Sequence, residues 1–291
     1  MTWVHLLLLL AVVFWGWSFV AMKVCLESMG LMELMGLRML LGIPVLAAII
    51  LAKRVKFRYS RGDWIVVAIA GAILTAHFGL QIGGLTITTA TNTGWIISIA
   101  PTSIAILSFF ILRERLRRIQ VAGIFVATAG IVLLVSKGDF SNLGWLSSTG
   151  DWLALASTFT WAAYTILTRN ISRRHSPLGV TFVILVIATA IAWSYLSFTT
   201  DFSHLLHLPM KAWWALIFLG VFCQALAFWF WQEGLARLGA ARSGFFIYLI
   251  PLATTALAVP YLGEHLGLVA LVGGLVLLGG VYLTERTGPS E

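Results

Sequence analysis

The chain has 291 residues, of which 60% are hydrophobic and 10% charged, with a mean hydropathy of +0.96. A soluble domain carries about 25% charged residues, so a soluble enzyme with a hydrated surface is excluded, as are disorder and a collagen-like chain. The net charge of +8 does not point to nucleic acid either, because the basic residues form short clusters between apolar runs, the pattern of a membrane protein.

A helix needs about 20 mostly apolar residues to cross roughly 30 Å of hydrocarbon. Ten runs qualify: 3–22, 33–52, 64–83, 91–111, 119–136, 152–168, 178–198, 213–232, 243–262 and 266–283. They are continuous rather than alternating, which excludes a β-barrel. The fold class is therefore an all-α membrane protein with ten transmembrane helices. The first run lacks a basic leader and a small-residue cleavage site, so it reads as a retained helix rather than a signal peptide. It carries Trp15 and Trp17 at depth. The second contains Arg38, the one Lys or Arg inside a run as drawn. Arg38 lies close enough to the outer boundary to snorkel, and could instead meet a substrate carboxylate or act at a gate.

In the third run His77 and Gln81 are four residues apart, on one helical face. The fourth begins near Asn92 and carries Trp95 and Pro101. The sixth holds Trp161 and Tyr164, the eighth Gln224 in mid-run, and the ninth Tyr248 and Pro251 just after Arg242. Polar groups at this depth are costly unless paired or used, and buried indoles and phenols seek hydrogen-bond partners inside the bundle. Trp3, Trp64, Trp145, Trp152, Trp213 and Trp214 fall at run ends and read as interfacial anchors. Glu114 and Glu264 end the fourth and ninth runs among polar neighbours and read as salt-bridged helix ends. Apart from Glu33, the first residue of the second run, no Asp or Glu lies inside a run as drawn.

With both termini in the cytoplasm, 15 Lys and Arg fall on the inner side and 3 on the outer side, as the positive-inside rule requires. Cys25 and Cys223 make neither a metal-ligand spacing nor a disulfide framework, and no cofactor is expected.

Shifting the sequence by 150 residues aligns 84–133 with 234–283 without a gap, with 14 of 50 positions identical. Ala90/Ala240, Gly94/Gly244, Pro101/Pro251, Glu114/Glu264, Gly123/Gly273 and Gly130/Gly280 are among them. At an offset of 146, Trp15 meets Trp161 and Lys23 meets Arg169. Five helices per copy return the chain on the opposite side, so the second copy inserts upside down. Two inverted-topology five-helix repeats, 1–137 and 148–286, form the architecture of secondary transporters.

The FWG of the first run, Arg38 and the segment LTITTATNTGWIISIAPTSIAILSFFILRERL (85–116) resemble the drug/metabolite transporters built from two EamA domains. The second copy, LARLGAARSGFFIYLIPLATTALAVPYLGEHL (235–266), resembles them equally. Members of that family export amino acids, drugs and other small metabolites. The resemblance implies a multi-pass inner-membrane protein of a bacterium or archaeon with a small-molecule substrate and the lipid bilayer as its partners. It is specific for the domain and poor for the substrate.

From the residues, the site is a mid-membrane cavity lined by spans one, three, four, six, eight and nine. Trp15, Trp17, Trp95, Trp161, Tyr164 and Tyr248 are expected as walls, with His77, Gln81 and Gln224 as polar contacts. Pro101 and Pro251 would be matched bends, because a proline removes an intrahelical hydrogen bond and the freed carbonyl needs a partner at membrane depth. Arg38, Asn92 and Arg242 are candidate gates or charge contacts. Neutral or hydrophobic amino acids suit this set, carried by a monomer through alternating access. A drug, quaternary amine or nucleotide-type solute is the alternative, and a channel or a membrane enzyme a remoter one. There is no paired intramembrane aspartate, HExxH, GxSxG on a span or P-loop, so an enzyme is not expected.

Overall fold

The computed structural model describes residues 3–113, 117–136, 148–199, 202–262 and 268–285. Glu114, Glu264 and His265 lie outside them. Among the described residues the chain is almost wholly helical and has no strand. Ten helical rods follow in order: α1 (Trp3–Leu26), α2 (Leu31–Lys53), α3 (Arg61–Ile87), α4 (Ala90–Leu112) and α5 (Arg118–Ser136). Then come α6 (Thr149–Arg174), α7 (Pro177–Thr199), α8 (Met210–Leu238), α9 (240–262) and α10 (Leu268–Glu285). Seven of them are long and apolar enough to cross a membrane within the described residues: α1 to α4 and α7 to α9.

Local sequence sets where the rods begin and break. Ser60 caps α3 and Ser148 caps α6, each accepting from the backbone N–H of an aspartate three residues on, Asp63 at 3.2 Å and Asp151 at 3.1 Å. Each aspartate accepts the cap's own N–H in return, a reciprocal box that satisfies two free donors at a helix start. α4 is interrupted at Ser98 and Ile99, just before Pro101, and α9 narrows to a 3₁₀ turn, Phe246–Leu249, just before Pro251. α8 widens to a π-helical stretch over Leu219–Leu226.

The packing respects an exchange of the two halves, α1 to α5 with α6 to α10. α3 lies on α6 as α1 lies on α8; α3 meets α7 as α2 meets α8; α4 meets α6 as α9 meets α1. The self-paired contacts are α2 with α7, α4 with α9 and α5 with α10. In each of these three pairs the counterparts run antiparallel. A Cβ on Gly130 would meet the Leu277 nitrogen at 2.5 Å, and one on Gly280 the Ala127 nitrogen at 2.3 Å. Likewise a Cβ on Gly94 would meet Thr254 and one on Gly244 would meet Ile104. Both sets are the same contact read from either copy at the 150-residue offset. The repeat is therefore inverted, with its two-fold relation running through these glycine contacts. Small residues let membrane helices approach this closely.

The antiparallel pair α3–α6 is tied at both ends by its buried aspartates. Asp63 pairs with Arg174 at 2.9 Å and His175 at 3.1 Å. Asp151 accepts from Thr88 at 2.8 Å and from Asn92. The pair α1–α8 is tied at one end by the exposed Lys211–Glu27 bridge. At the other end Arg237 bonds Glu233 at 3.1 Å and covers the Trp3 ring.

Glu233 corrects the expectation that no carboxylate other than Glu33 lies inside a span. α8 runs six residues past the expected end at 232, and Glu233 is buried there, accepting from the Trp229 indole. Hydropathy fades in this last turn, although the helix continues.

Candidate functional site

A cavity lies between the two halves, enclosing about 420 Å³ of unfilled space, its open mouth included. Its lining comes from α1 (Trp15, Ser18, Phe19), α2 (Arg38), α3 (His77, Phe78, Gln81) and α4 (Ile97) in one half. The other half supplies α6 (Trp161), α8 (Phe228) and α9 (Ile247, Ile250). The lining residues of α1 and α3 sit in their C-terminal halves and Arg38 and Ile97 in the N-terminal halves of theirs. Phe228 sits in the C-terminal half of α8 and Ile247 and Ile250 in the N-terminal half of α9, so the lining spans the middle of the bundle.

An aromatic cluster forms one wall and the packing behind it. Trp15 and Trp161, counterparts in the repeat, meet edge-to-face with centroids 5.1 Å apart. Phe228 and Trp231 pack against both, and Tyr164 stacks on Trp161 at 5.3 Å. Edge-to-face pairs of this kind add about 0.5–1.5 kcal/mol beyond burial alone. Backbone bonds fix the cluster: the Trp15 indole donates to the Cys223 carbonyl at 3.1 Å. The Gln232 amide donates to the Tyr164 hydroxyl at 2.8 Å, and Ser172 donates to the Gln232 carbonyl.

The polar groups divide into satisfied and unsatisfied ones. His77 Nδ1 lies 2.9 Å from the Ser157 carbonyl, which can only accept, so Nδ1 carries the proton. Its Nε2 is then bare and takes the Gln81 amide N–H at 3.4 Å. The imidazole is neutral in this arrangement, and the Gln81 carbonyl oxygen has no protein partner among the described residues. Ser18 donates to the Trp15 carbonyl at 2.6 Å.

Arg38 is 1% exposed and lines the cavity. It does not snorkel: its Nη1 points to the Met22 sulfur at 3.0 Å, and its guanidinium carbon lies 4.5 Å from the Phe78 ring centroid. Its Nε has no partner, and no carboxylate pairs with it among the described residues.

Of the residues singled out in the sequence, Trp15, Arg38, His77, Gln81 and Trp161 come together on the cavity, and Tyr164 stands directly behind Trp161. Trp17 does not reach it. Two residues beyond Trp15 is about 200° around a helix, and Trp17 is 37% exposed on the outer surface of the bundle. Trp95 and Tyr248 belong to a separate cluster with Phe245 and Leu277, where α4 and α9 meet α5 and α10. Tyr248 bonds the Thr102 hydroxyl there at 3.0 Å. Gln224 is fully buried in the π-helical stretch, off the cavity, with both amide atoms unpartnered. Pro101 and Pro251 are off the lining themselves. Each removes the N–H that would bond the carbonyl four residues earlier; those residues are Ile97 and Ile247, and both line the cavity. Asn92 donates to Thr88 and Asp151 and so ties the start of α4 to α3 and α6. Arg242 is half-buried near the start of α9, with a partner of its own.

The family model for the EamA-like transporter family matches residues 2–136 and 148–286. The chain belongs to this family. It is a multi-pass membrane transporter, not an enzyme. A relative from Archaeoglobus fulgidus, described as an uncharacterized transporter, is 28% identical over 283 residues, 96% of each chain. A probable terminal-alkyne amino-acid exporter of Streptantibioticus cattleyicolor is 29% identical, covering 96% of this chain and 92% of that one. A probable amino-acid metabolite efflux pump of Salmonella typhimurium is 28% identical, covering 95% and 93%. A solved crystal structure superposes with a TM-score of 0.77 over 97% of this chain and 98% of that one, at 23% identity. At that identity the likeness speaks for the fold.

Ser18, Phe19, Phe78 and Phe228 line the cavity without having stood out in the sequence. Phe78 and Phe228 are ordinary core residues by composition. Only the helical phase relative to His77, one residue before Phe78, and to Trp231, three after Phe228, could have marked them.

Proposed function

We propose that this EamA-like transporter is an exporter of small metabolites, with neutral or hydrophobic amino acids as the preferred class, working by alternating access. The observation that carries the reading is the cavity formed jointly by the two inverted halves, with aromatic walls and few polar groups. A ligand site of this kind is largely apolar with a small number of placed polar contacts. The proline pair supports it, since Pro101 and Pro251 remove the four-residue helical bond at Ile97 and Ile247, two matching positions on the same space, where Ile247 turns instead to a tighter bond from the Ile250 N–H. The names of the amino-acid exporter and efflux-pump relatives point the same way. The repeats would be the units that rock, 1–137 against 148–286, in a monomer of the inner membrane of a bacterium or archaeon. The basic clusters at 53–61, 113–118 and 169–174 support a cytoplasmic position for both termini.

The test is efflux and counterflow of labelled leucine and phenylalanine from proteoliposomes. Saturable flux that is stimulated by unlabelled amino acid on the trans side supports the carrier. Flux without saturation or trans-stimulation would favour a conduit, and no flux of either solute would end the amino-acid reading.

A further inference from the structure

The geometry points to Arg38 as the anchor for a substrate carboxylate, which restricts the solutes of this cavity to amphipathic carboxylates and excludes amines that lack one. The inference rests on reading the cavity as the transport site and sharpens its substrate class.

Three observations carry it. First, the guanidinium is 1% exposed yet lines the cavity, and among the described residues no Asp or Glu pairs with it. An ion taken out of water costs several kcal/mol unless a counter-charge or hydrogen bonds compensate. A thioether is a weak acceptor and an aromatic face a partial one, so Met22 and Phe78 leave most of that deficit standing. Second, Nε is buried with no partner and Nη2 makes no hydrogen bond among the described residues, whereas Nη1 is turned to Met22. Nε and Nη2 form one edge of the planar group, and that edge matches the two oxygens of a carboxylate in a bidentate pair. Third, the charge stands among Phe19, Phe78 and Trp161, so the anion that reaches it has to bring an apolar body. Gln81 adds a free carbonyl oxygen beside it, an acceptor for an ammonium where the solute has one. The three together describe a guanidinium short of partners at the cavity wall, whose unpaired edge suits a fork-shaped anion.

The unaltered protein is screened first, by its thermal unfolding midpoint in detergent, against phenylalanine, phenylalaninamide and 3-phenylpropionate. A ligand that binds only the folded state raises the midpoint. Phenylalanine and 3-phenylpropionate are expected to raise it and phenylalaninamide is not. Arg38→Gln is expected to weaken the binding of the acids at least about tenfold, the loss of one charge-assisted hydrogen bond, with Arg38→Lys falling between. Binding of the amide as tight as that of the acids, no shift with any carboxylate, or undiminished acid binding in Arg38→Gln would each overturn the anchor. If Arg38→Gln fails to fold, the comparison of acid with amide on the unaltered protein decides alone. Binding of 3-phenylpropionate without phenylalanine keeps the anchor and removes the amino-acid reading, so the two fail separately.

Discussion

Adjacent glycines on α10 should respond to the same substitution with opposite signs. A Cβ on Gly280 would sit 2.3 Å from the Ala127 nitrogen and 2.7 Å from its Cα, whereas one on Gly279 meets nothing within 4 Å. Ordinary contact begins near 3.4 Å, so Gly280→Ala requires α5 and α10 to part by about 1 Å. The obstacle is backbone, which no rotamer change can relieve. Overpacking of this kind costs about 1–3 kcal/mol, and the contact recurs at Gly130 against Leu277, so the separation disturbs both. Gly279→Ala adds a methyl on the exposed face and removes glycine's conformational freedom, a gain of about 0.5–1 kcal/mol. The assay is thermal unfolding in detergent followed by tryptophan emission, to which Trp95 contributes from the cluster that includes Leu277 of α10. Shifts of the same sign, or a Gly280→Ala protein as stable as the parent, would refute the close approach of these helices.

Gln224→Leu should stabilise the protein by about 1–3 kcal/mol, because it removes two buried amide atoms that have no partner. Reaction of the buried Cys25 and Cys223 with a thiol dye on heating would register it, and a lowered midpoint would contradict the burial. Asp151→Asn should destabilise by about 1–3 kcal/mol, since an ionised acceptor of the Thr88 and Asn92 bonds becomes neutral; Thr88→Val should cost less. Trp17→Leu should leave efflux at the parental rate, while Trp161→Leu should lower it with the protein still folded, as read by counterflow and size-exclusion profile. Equal effects of the two tryptophan changes would argue against the cavity as the path.

The ten helices were legible because each is one long apolar run, and the inversion because an odd number of helices per copy turns the second copy over. Helix ends were less legible. Hydropathy fell at 232, but α8 continues through Glu233 and Arg237, which neutralise each other. Depth in the membrane could be read for Trp15, Trp17, Trp161 and Gln224; the face each presents could not. Apolar residues surround these helices on every side, so no amphipathic stripe records which side meets lipid. Trp17 and Gln224 were misassigned to the cavity for that reason. For Arg38 the distance from the boundary allows either snorkelling or a role in the cavity, and only the Phe78 ring and the Met22 sulfur show that it is held inside.

The scaffold is two-fold, but its charge is not. Trp15 and Trp161 exchange under the repeat and meet at the pseudo-axis, so the same plug can serve whichever mouth is shut. Arg38 has no such mate. The matching turn of α7, from Ile184 to Ala188, is wholly aliphatic. Rocking the halves would therefore present an anion with unequal surroundings on the two sides, gripped at one vestibule and loosely held at the other. Vectorial release would then be written in a departure from symmetry rather than in the moving parts.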